Sequence, residues 1–302
     1  MTALGILAQV AVTLVGGAYV FTVADRLMSA SGTGVRSALV YPVRRLSFLL
    51  LQPVTTTERP DFSAWILATA LLPALAAVGA VAIPIAGPSA GGDISAGLVL
   101  FGAAMLVVLV AVFIFGWAPN SVFPMIGGYR FAAVVLSIGI PFSLVVLTTA
   151  IPAESLSVGV IVESQSNLWY LVVQPLGFVI YLITAAAIAF WGPFDLPEGA
   201  DLAGGIVVEA SGVRLAMWRF GRAALMVTLS LMGQAVFLGG YLGPVLPGWL
   251  WTVIKTAILL VLLALTGRTL ARMRVQRFVW FGWVVLLPLA LVDVFVSGWL
   301  AL

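Results

Sequence analysis

Neither cysteine nor histidine occurs among the 302 residues. Their absence removes the thiolate and imidazole ligands from which zinc, copper, haem and iron–sulfur sites are ordinarily built. Any redox centre working with this chain therefore has to sit in a partner, and no metal site is expected here. Without cysteine the redox compartment also lacks a marker. Charge is the next scarcity. Only 8% of residues are charged, against about a quarter in a soluble domain, while 63% are hydrophobic and the mean hydropathy is +1.20. Such a composition excludes a water-soluble enzyme and describes a polytopic membrane protein. Strand-length alternation with a period of two is missing, so the spans are read as helices rather than barrel strands.

What is present is a series of apolar runs, each close to the ~20 residues that cross about 30 Å of hydrocarbon. They fall at roughly 3–23, 64–86, 97–117, 129–151, 168–190, 215–241, 249–267 and 279–300, which predicts one all-α transmembrane domain of eight spans over 1–302. The first run has no basic leader and no Ala-x-Ala cleavage site ahead of it, and is expected to be a retained helix. The connections differ in charge. The first, third, fifth and seventh hold Arg26, Arg36, Arg44, Arg45 and Arg59, then Arg130, then Arg214, Arg219 and Arg222, then Arg268, Arg272, Arg274 and Arg277, which is every arginine in the chain. The connections 87–96, 152–167 and 242–248 hold no basic residue and only Asp93, Glu154 and Glu163 among acids. The positive-inside rule then places the arginine-bearing side in the cytoplasm and both termini outward; the expected location is the inner membrane of a prokaryote. Between the first two spans, Val35 to Gln52 sets Arg36, Arg44 and Arg45 against Leu39, Val40, Val43, Leu46, Leu49 and Leu50 at helical spacing. This predicts an in-plane amphipathic helix on the cytoplasmic face, serving as a juxtamembrane anchor or as an element that admits a ligand.

Three charged residues fall deepest in the predicted spans, Arg222, Lys255 and Asp293, where an ionisable group is costly and marks a structural charge or a proton path. Lys255 lies about six residues from the outer end of the seventh span and Asp293 about seven from that of the eighth. At ~1.5 Å rise per residue their depths are similar, so the two are expected to pair, as a structural ion pair or as part of a proton path. Snorkelling of each to the nearby outer surface is the alternative. Acidic residues cluster only once. Asp195, Glu198, Asp201 and Glu209 fall between Pro193 and Gly212, among two prolines and several glycines, in a chain with 11 acids in total. A carboxylate held near an apolar cavity has a raised pKa and can relay protons near neutral pH; a hairpin whose acids merely face water is the plain alternative. Arg219 and Arg222, at the start of the sixth span, could neutralise Glu209, Asp201 or Glu198, or simply anchor the helix end. Arg268, Arg272, Arg274 and Arg277 suit a lipid-headgroup face or the docking of an acidic partner subunit.

The residues also carry a resemblance. Pro-Phe-Asp-Leu-Pro-Glu at 193–198, Asp-Leu-Ala-Gly-Gly at 201–205 and Glu-Ala-Ser-Gly at 209–212 resemble the signature loop of the H-type membrane subunit of respiratory complex I. That family is shared with the membrane-anchor subunits of energy-converting hydrogenases and formate hydrogenlyases. Gly-Trp-Ala-Pro-Asn-Ser at 116–121, with Arg130, Ser137 and Ile140-Pro141, resembles the family's third cytoplasmic loop and following helix. Arg272-x-Arg274 and then Gly282-Trp-x-x-Leu-Leu-Pro288-Leu resemble its carboxy-terminal loop and last helix, and Gln52-Pro53 matches part of its amino-terminal pattern.

The resemblance implies a subunit without a cofactor of its own, joining a peripheral electron-transfer arm to antiporter-like membrane subunits. Iron–sulfur and nickel–iron centres are then expected in partner subunits, including a hydrogenase-like large subunit. It also implies a quinone at the interface, with its tail between the first and sixth spans and the in-plane segment and its head near Glu209, Asp201 and Arg214. Asp195, Glu198, Asp201, Glu209 and Arg274 match motif positions. Departures are equally specific: Gly139, Ile188 and Arg222 stand where the family carries glutamates, and Gln276, Arg277 and Val284 stand for its Asp, Gln and Lys. They point to a hydrogenase-type or atypical complex, or to a structural anchor that has lost proton coupling. An independent ion or small-molecule transporter is the rival of a different class, and the lack of an internal repeat counts against it.

Overall fold

The computed structural model describes residues 3–29, 34–85, 87 and 94–300; Asp93 lies outside them. Among the described residues there are helices and no strands: α1 Ala3–Ser29, α2 Val35–Leu51, α3 Phe62–Val81, α4 Gly97–Trp117, α5 Val122–Thr148, α6 Val158–Ser164, α7 Tyr170–Val173, α8 Pro175–Ile188, α9 Gly212–Phe237, α10 Gly248–Thr269, α11 Val275–Phe281 and α12 Leu287–Leu300. A π-turn at Gly282–Leu286 joins α11 to α12 into one run. Among the described residues seven helices are long and apolar enough to cross a membrane, formed by α1, α3, α4, α5, α9, α10 and the α11–α12 run.

The stretch expected as a fifth span, 168–190, departs from that reading. It is broken into the four residues of α7 and the fourteen of α8, because Pro175 has no amide hydrogen to continue a helix and forces the residue before it out of the helical region. Gln174 accordingly takes φ −127°, ψ 57°. The segment 35–52 is helical as expected, and α2 lies against α1 and α9.

α9 is the axis of the bundle. Its residues from Gly221 to Phe237 are all buried, and α1, α3, α8 and α10 pack around it. With no hydrophobic drive between helices in lipid, close approach depends on small residues. At Gly221 an added Cβ would come within 2.9 Å of Pro73 on α3. α4 and α5 form the next rank, and α12 packs on α5 and α8. Between α8 and α9 the chain makes three short 3-10 turns, Gly192–Phe194, Ala200–Leu202 and Gly205–Val207. This loop folds back on itself. Gly205 takes φ +56°, a Cβ there would fall on the Pro197 carbonyl, and the Ile206 amide donates to that carbonyl at 3.0 Å.

Candidate functional site

The 193–212 loop is tied to several separate parts of the chain. Met273, in the connection between α10 and α11, donates its amide to the Pro193 carbonyl at 3.0 Å, and the Phe194 and Phe278 rings lie 4.7 Å apart. At the other end Ser211 Oγ accepts from the Thr55 amide at 2.7 Å, fastening the loop to the segment after α2.

Within that frame the four carboxylates go to different places. Glu198 is buried. Its Oε1 accepts from the Trp218 indole at 3.0 Å, and its Oε2 accepts from Arg219 Nη1 at 3.0 Å and Arg222 Nη1 at 2.5 Å. Trp218 is itself held by stacking on Phe115, ring centroids 3.8 Å apart. Burial alone would raise the Glu198 carboxyl, but the Arg222 and Arg219 charges and the indole N–H outweigh it and hold the group below its usual range. Arg222, also buried, donates Nη2 to the Phe190 carbonyl at 2.5 Å and lies over the Phe190 and Trp191 rings at 4.7 and 4.9 Å. Of the three acids it could have neutralised, Arg222 reaches Glu198, and it also stands 3.5 Å from Asp195.

Asp195 accepts from Arg272 Nη2 at 2.8 Å. Burial, with repulsion from Glu198, outweighs the two arginines and raises its carboxyl. The two neighbours are thus driven apart, one held ionised and the other inclined to take up a proton. Asp201 accepts from Arg130 Nη1 of α5 at 2.6 Å, and this hydrogen bond holds its carboxyl below the usual range. Glu209 accepts from Ser121 Oγ at 2.9 Å, drawing that hydroxyl away from capping α5. Arg214 lies over the Trp65 ring at 3.6 Å, and its Nη1 is buried without a hydrogen-bond partner. Glu209, Asp201 and Arg214 are therefore held by three different elements. Of these groups Arg214 Nη1 is the one with a donor left without an acceptor among the described residues.

The expected pair of Lys255 and Asp293 is not formed. Lys255 Nζ donates to the carbonyls of Leu238, Gly240 and Leu242 at 2.6, 3.0 and 2.7 Å, where α9 ends. Asp293 accepts from the Gly177 amide in the first turn of α8 at 3.0 Å. Each charge has gone to the helix terminus of opposite partial charge, the ammonium to free carbonyls and the carboxylate to free amides. The arginine cluster after α10 is also divided. Arg268 bonds Asp25 and Arg272 bonds Asp195, while Arg274 and Arg277 have no carboxylate partner among the described residues.

Sequence reasoning passed over Trp218 and Gln165, and it named Arg130 and Ser121 without pairing them with the loop's acids. Trp218 and Arg222 are four apart on α9 and so share a face, a signal readable beside the acidic loop. Gln165 closes the other end of α9, accepting from the Gly239 amide at 3.0 Å and donating to the Ala235 carbonyl at 2.9 Å; nothing local in the sequence marks it.

Comparison with known proteins bears on the same stretches. The sequence profile of the NADH dehydrogenase family matches residues 7–298. One H subunit of the NADH-quinone oxidoreductase of Geobacter metallireducens is 36% identical over 209 residues, 69% of this chain and 64% of that protein, so the chain spans just under two thirds of that relative. The H subunit of the NADH-quinone oxidoreductase of Anoxybacillus flavithermus is 33% identical over 271 residues, 88% of this chain and 81% of that protein. That of Bacillus thuringiensis is 34% identical over the same shares. A profile match over nearly the whole chain, and relatives above 30% identity over most of it, agree with the motif stretches: the chain belongs to the NADH dehydrogenase family, as a relative of the H subunits of NADH-quinone oxidoreductases.

Proposed function

We propose that this multi-pass membrane protein is a subunit of a complex-I-like, redox-driven ion-translocating assembly, joining a peripheral electron-transfer arm to antiporter-like membrane subunits. The observation that carries this reading is the way the loop's acids are distributed. Asp195 and Glu198 reach α9 and the α10–α11 connection, Asp201 reaches α5, and Glu209 reaches the turn before α5. A displacement imposed on such a loop by a bound partner reaches three parts of the bundle at once. The loop and the arginines face the cytoplasm in this reading, with both termini outward. A quinone, if taken up, would meet the Arg214 guanidinium, whose free donor suits a carbonyl oxygen; Trp65 orients that guanidinium and excludes water from its face. The redox centres, iron–sulfur and nickel–iron, belong to partner subunits, and the departures at Gly139, Ile188 and Arg222 favour a hydrogenase-type or otherwise atypical complex.

One feature favours a second reading, an anchor without proton coupling. Glu198 is saturated by three donors, Ile188 is fully buried, and a Cβ on Gly139 would already meet Leu106 at 3.4 Å. A proton path through Gly139 and Ile188 has no carboxylate to use, and the one at Glu198 is occupied by its three donors.

Purification of the tagged chain in mild detergent, with mass spectrometry of what accompanies it, tests the joining role. Recovery of soluble iron–sulfur and hydrogenase-like subunits together with antiporter-like proteins is expected. Recovery of the chain alone would overturn it and bring the transporter reading forward. With the assembly in vesicles, Glu209→Gln and Asp201→Asn separate the two roles: a coupling loop loses ion movement while electron transfer continues, whereas an anchor loses neither.

A further inference from the structure

A cleft of about 770 Å³ opens between the end of α1 and α2. Arg26, Arg36, Arg44 and Arg45 line it with Tyr41 and Phe48, and no carboxylate is among its lining residues. Five other arginines, Arg130, Arg219, Arg222, Arg268 and Arg272, each have a carboxylate partner; among the described residues these four have none. The cleft is nevertheless built. Tyr41 holds two of the guanidinia, Arg26 at 4.8 Å and Arg45 at 5.9 Å from its ring centroid, and its hydroxyl accepts from Arg45 Nη1 at 2.8 Å. Arg26 Nε is buried and has no hydrogen-bond partner among the described residues.

Two guanidinia held on one ring, with Arg36 and Arg44 lining the same cleft, repel one another, and that repulsion is relieved by a bound anion. Planar guanidinium forks match phosphate oxygens. The depth of the cleft decides which phosphate. α1 is long and apolar enough to span a membrane, Arg26 stands in its last turn, and α2 is fastened beside it by the Tyr19 hydroxyl donating to the Leu39 carbonyl at 2.7 Å. The arginines therefore lie where a span leaves the hydrocarbon. Phe48 and Val40 at the cleft, with Val43 and Leu51 exposed along the same helix, supply apolar surface that a free phosphate has no use for.

We infer that this cleft is a binding site for the headgroup of an anionic phospholipid, whose phosphate is held by Arg26, Arg36, Arg44 and Arg45 and whose acyl chains run along the apolar face of α2. The inference needs the membrane reading of α1 but not the assembly proposed above, so each can fail without the other.

The test uses the protein as purified, with whatever subunits accompany it, in mixed micelles of phosphatidylglycerol and phosphatidylcholine. Native mass spectrometry counts the lipids retained. Wild type is expected to retain phosphatidylglycerol at least about tenfold more tightly than phosphatidylcholine. Each guanidinium near a charged lipid surface is worth about a factor of five, so the double variant R36Q/R44Q should bind phosphatidylglycerol about twenty-five-fold more weakly. R130Q/R272Q, which removes the same charge from arginines already paired with Asp201 and Asp195, should stay within about twofold of wild type. Equal retention of both lipids, a double variant that binds as wild type does, or an equal loss in R130Q/R272Q would overturn the proposal. Competition by millimolar inorganic phosphate as effective as by lipid would assign the cleft to free phosphate instead and overturn it too. Should R36Q/R44Q not survive purification, wild type at 50 and 500 mM salt decides: an ionic headgroup site weakens steeply with salt, and affinity indifferent to salt overturns the site.

Discussion

The arginines beneath the 193–212 loop and those of the α1–α2 cleft are the same side chain used in opposite ways. Arg219, Arg222 and Arg272 meet Glu198 and Asp195 within the chain, with Glu198 and Arg222 buried. Arg26, Arg36, Arg44 and Arg45 meet no acid of the described chain. In a protein with so few carboxylates, a matched arginine belongs to the architecture and an unmatched one is addressed to something outside. The matched set should therefore govern stability and respond little to salt, and the unmatched set should govern binding and respond strongly.

The largest effect that tests this division comes from Arg222. Arg222→Met leaves Glu198 buried with its closest charge removed, and breaking a buried pair from one side costs about 3–5 kcal/mol. The expected outcome is a large fall in the thermal midpoint of the detergent-purified protein, with most of it recovered in the double variant Glu198→Gln/Arg222→Met. If the single variant melts with wild type, the cluster does not hold the loop to α9.

A smaller effect is expected at Lys255. Lys255→Met removes three hydrogen bonds from carbonyls at the end of α9 and leaves them without a donor, a loss of roughly 1–3 kcal/mol for a buried unsatisfied group. Since Asp293 is held separately by the Gly177 amide, Asp293→Asn should act independently, and the two changes together should equal their sum. A coupling in the double-variant cycle would restore the ion pair that the geometry excludes.

These two residues also show where the sequence could and could not be read. Apolar runs located the helices, because hydropathy reports directly on solvation by lipid, and the charge asymmetry of the connections reported on the same thing. The break at Gln174–Pro175 was written in the chain too, although hydropathy is blind to it and reads the run 168–190 as one unbroken helix. α5 begins at Val122, seven residues before its apolar run, because a helix can extend past the hydrocarbon without further apolar residues. The loop's acids were legible as a group. Their partners were not, because Arg130 and Asp201 lie 71 residues apart and Ser121 and Glu209 lie 88 apart, separations that no local pattern encodes. Lys255 and Asp293 were legible as buried charges at one depth. The error lay in seeking the answer to each charge in the other, when helix termini offered nearer partners.

The two loop acids with opposed shifts sharpen the comparison through pH. Glu198 has a folded pKa below its usual 4.5, so the stability it contributes is present above that value and is lost as pH falls through the folded pKa. Asp195 has a folded pKa above its usual 3.8, so its contribution is present below that value and is lost as pH rises through the folded pKa. On acidification the two carboxylates therefore act in opposite senses, Asp195 adding stability as it protonates and Glu198 losing it. Asp195→Asn should abolish the gain and keep the loss, read as the thermal midpoint against pH; a curve superimposable on wild type would mean Asp195 does not titrate in this window.

The smallest effects belong to the surface. Asp201 and Arg130 are both partly exposed, and an exposed ion pair is worth below about 1 kcal/mol, so Asp201→Asn should shift the thermal midpoint little, and less still in high salt. Arg44→Gln should shift it even less, since Arg44 has no carboxylate partner among the described residues to lose. The comparison is sharpest between these two. Both variants remove one charge from the exposed surface and both should melt almost as wild type does, yet only Arg44→Gln should weaken retention of phosphatidylglycerol. On net charge alone Asp201→Asn, which leaves the protein one charge more positive, should strengthen that retention; were it to do so by as much as Arg44→Gln weakens it, the distinction between matched and unmatched charge would collapse into net charge.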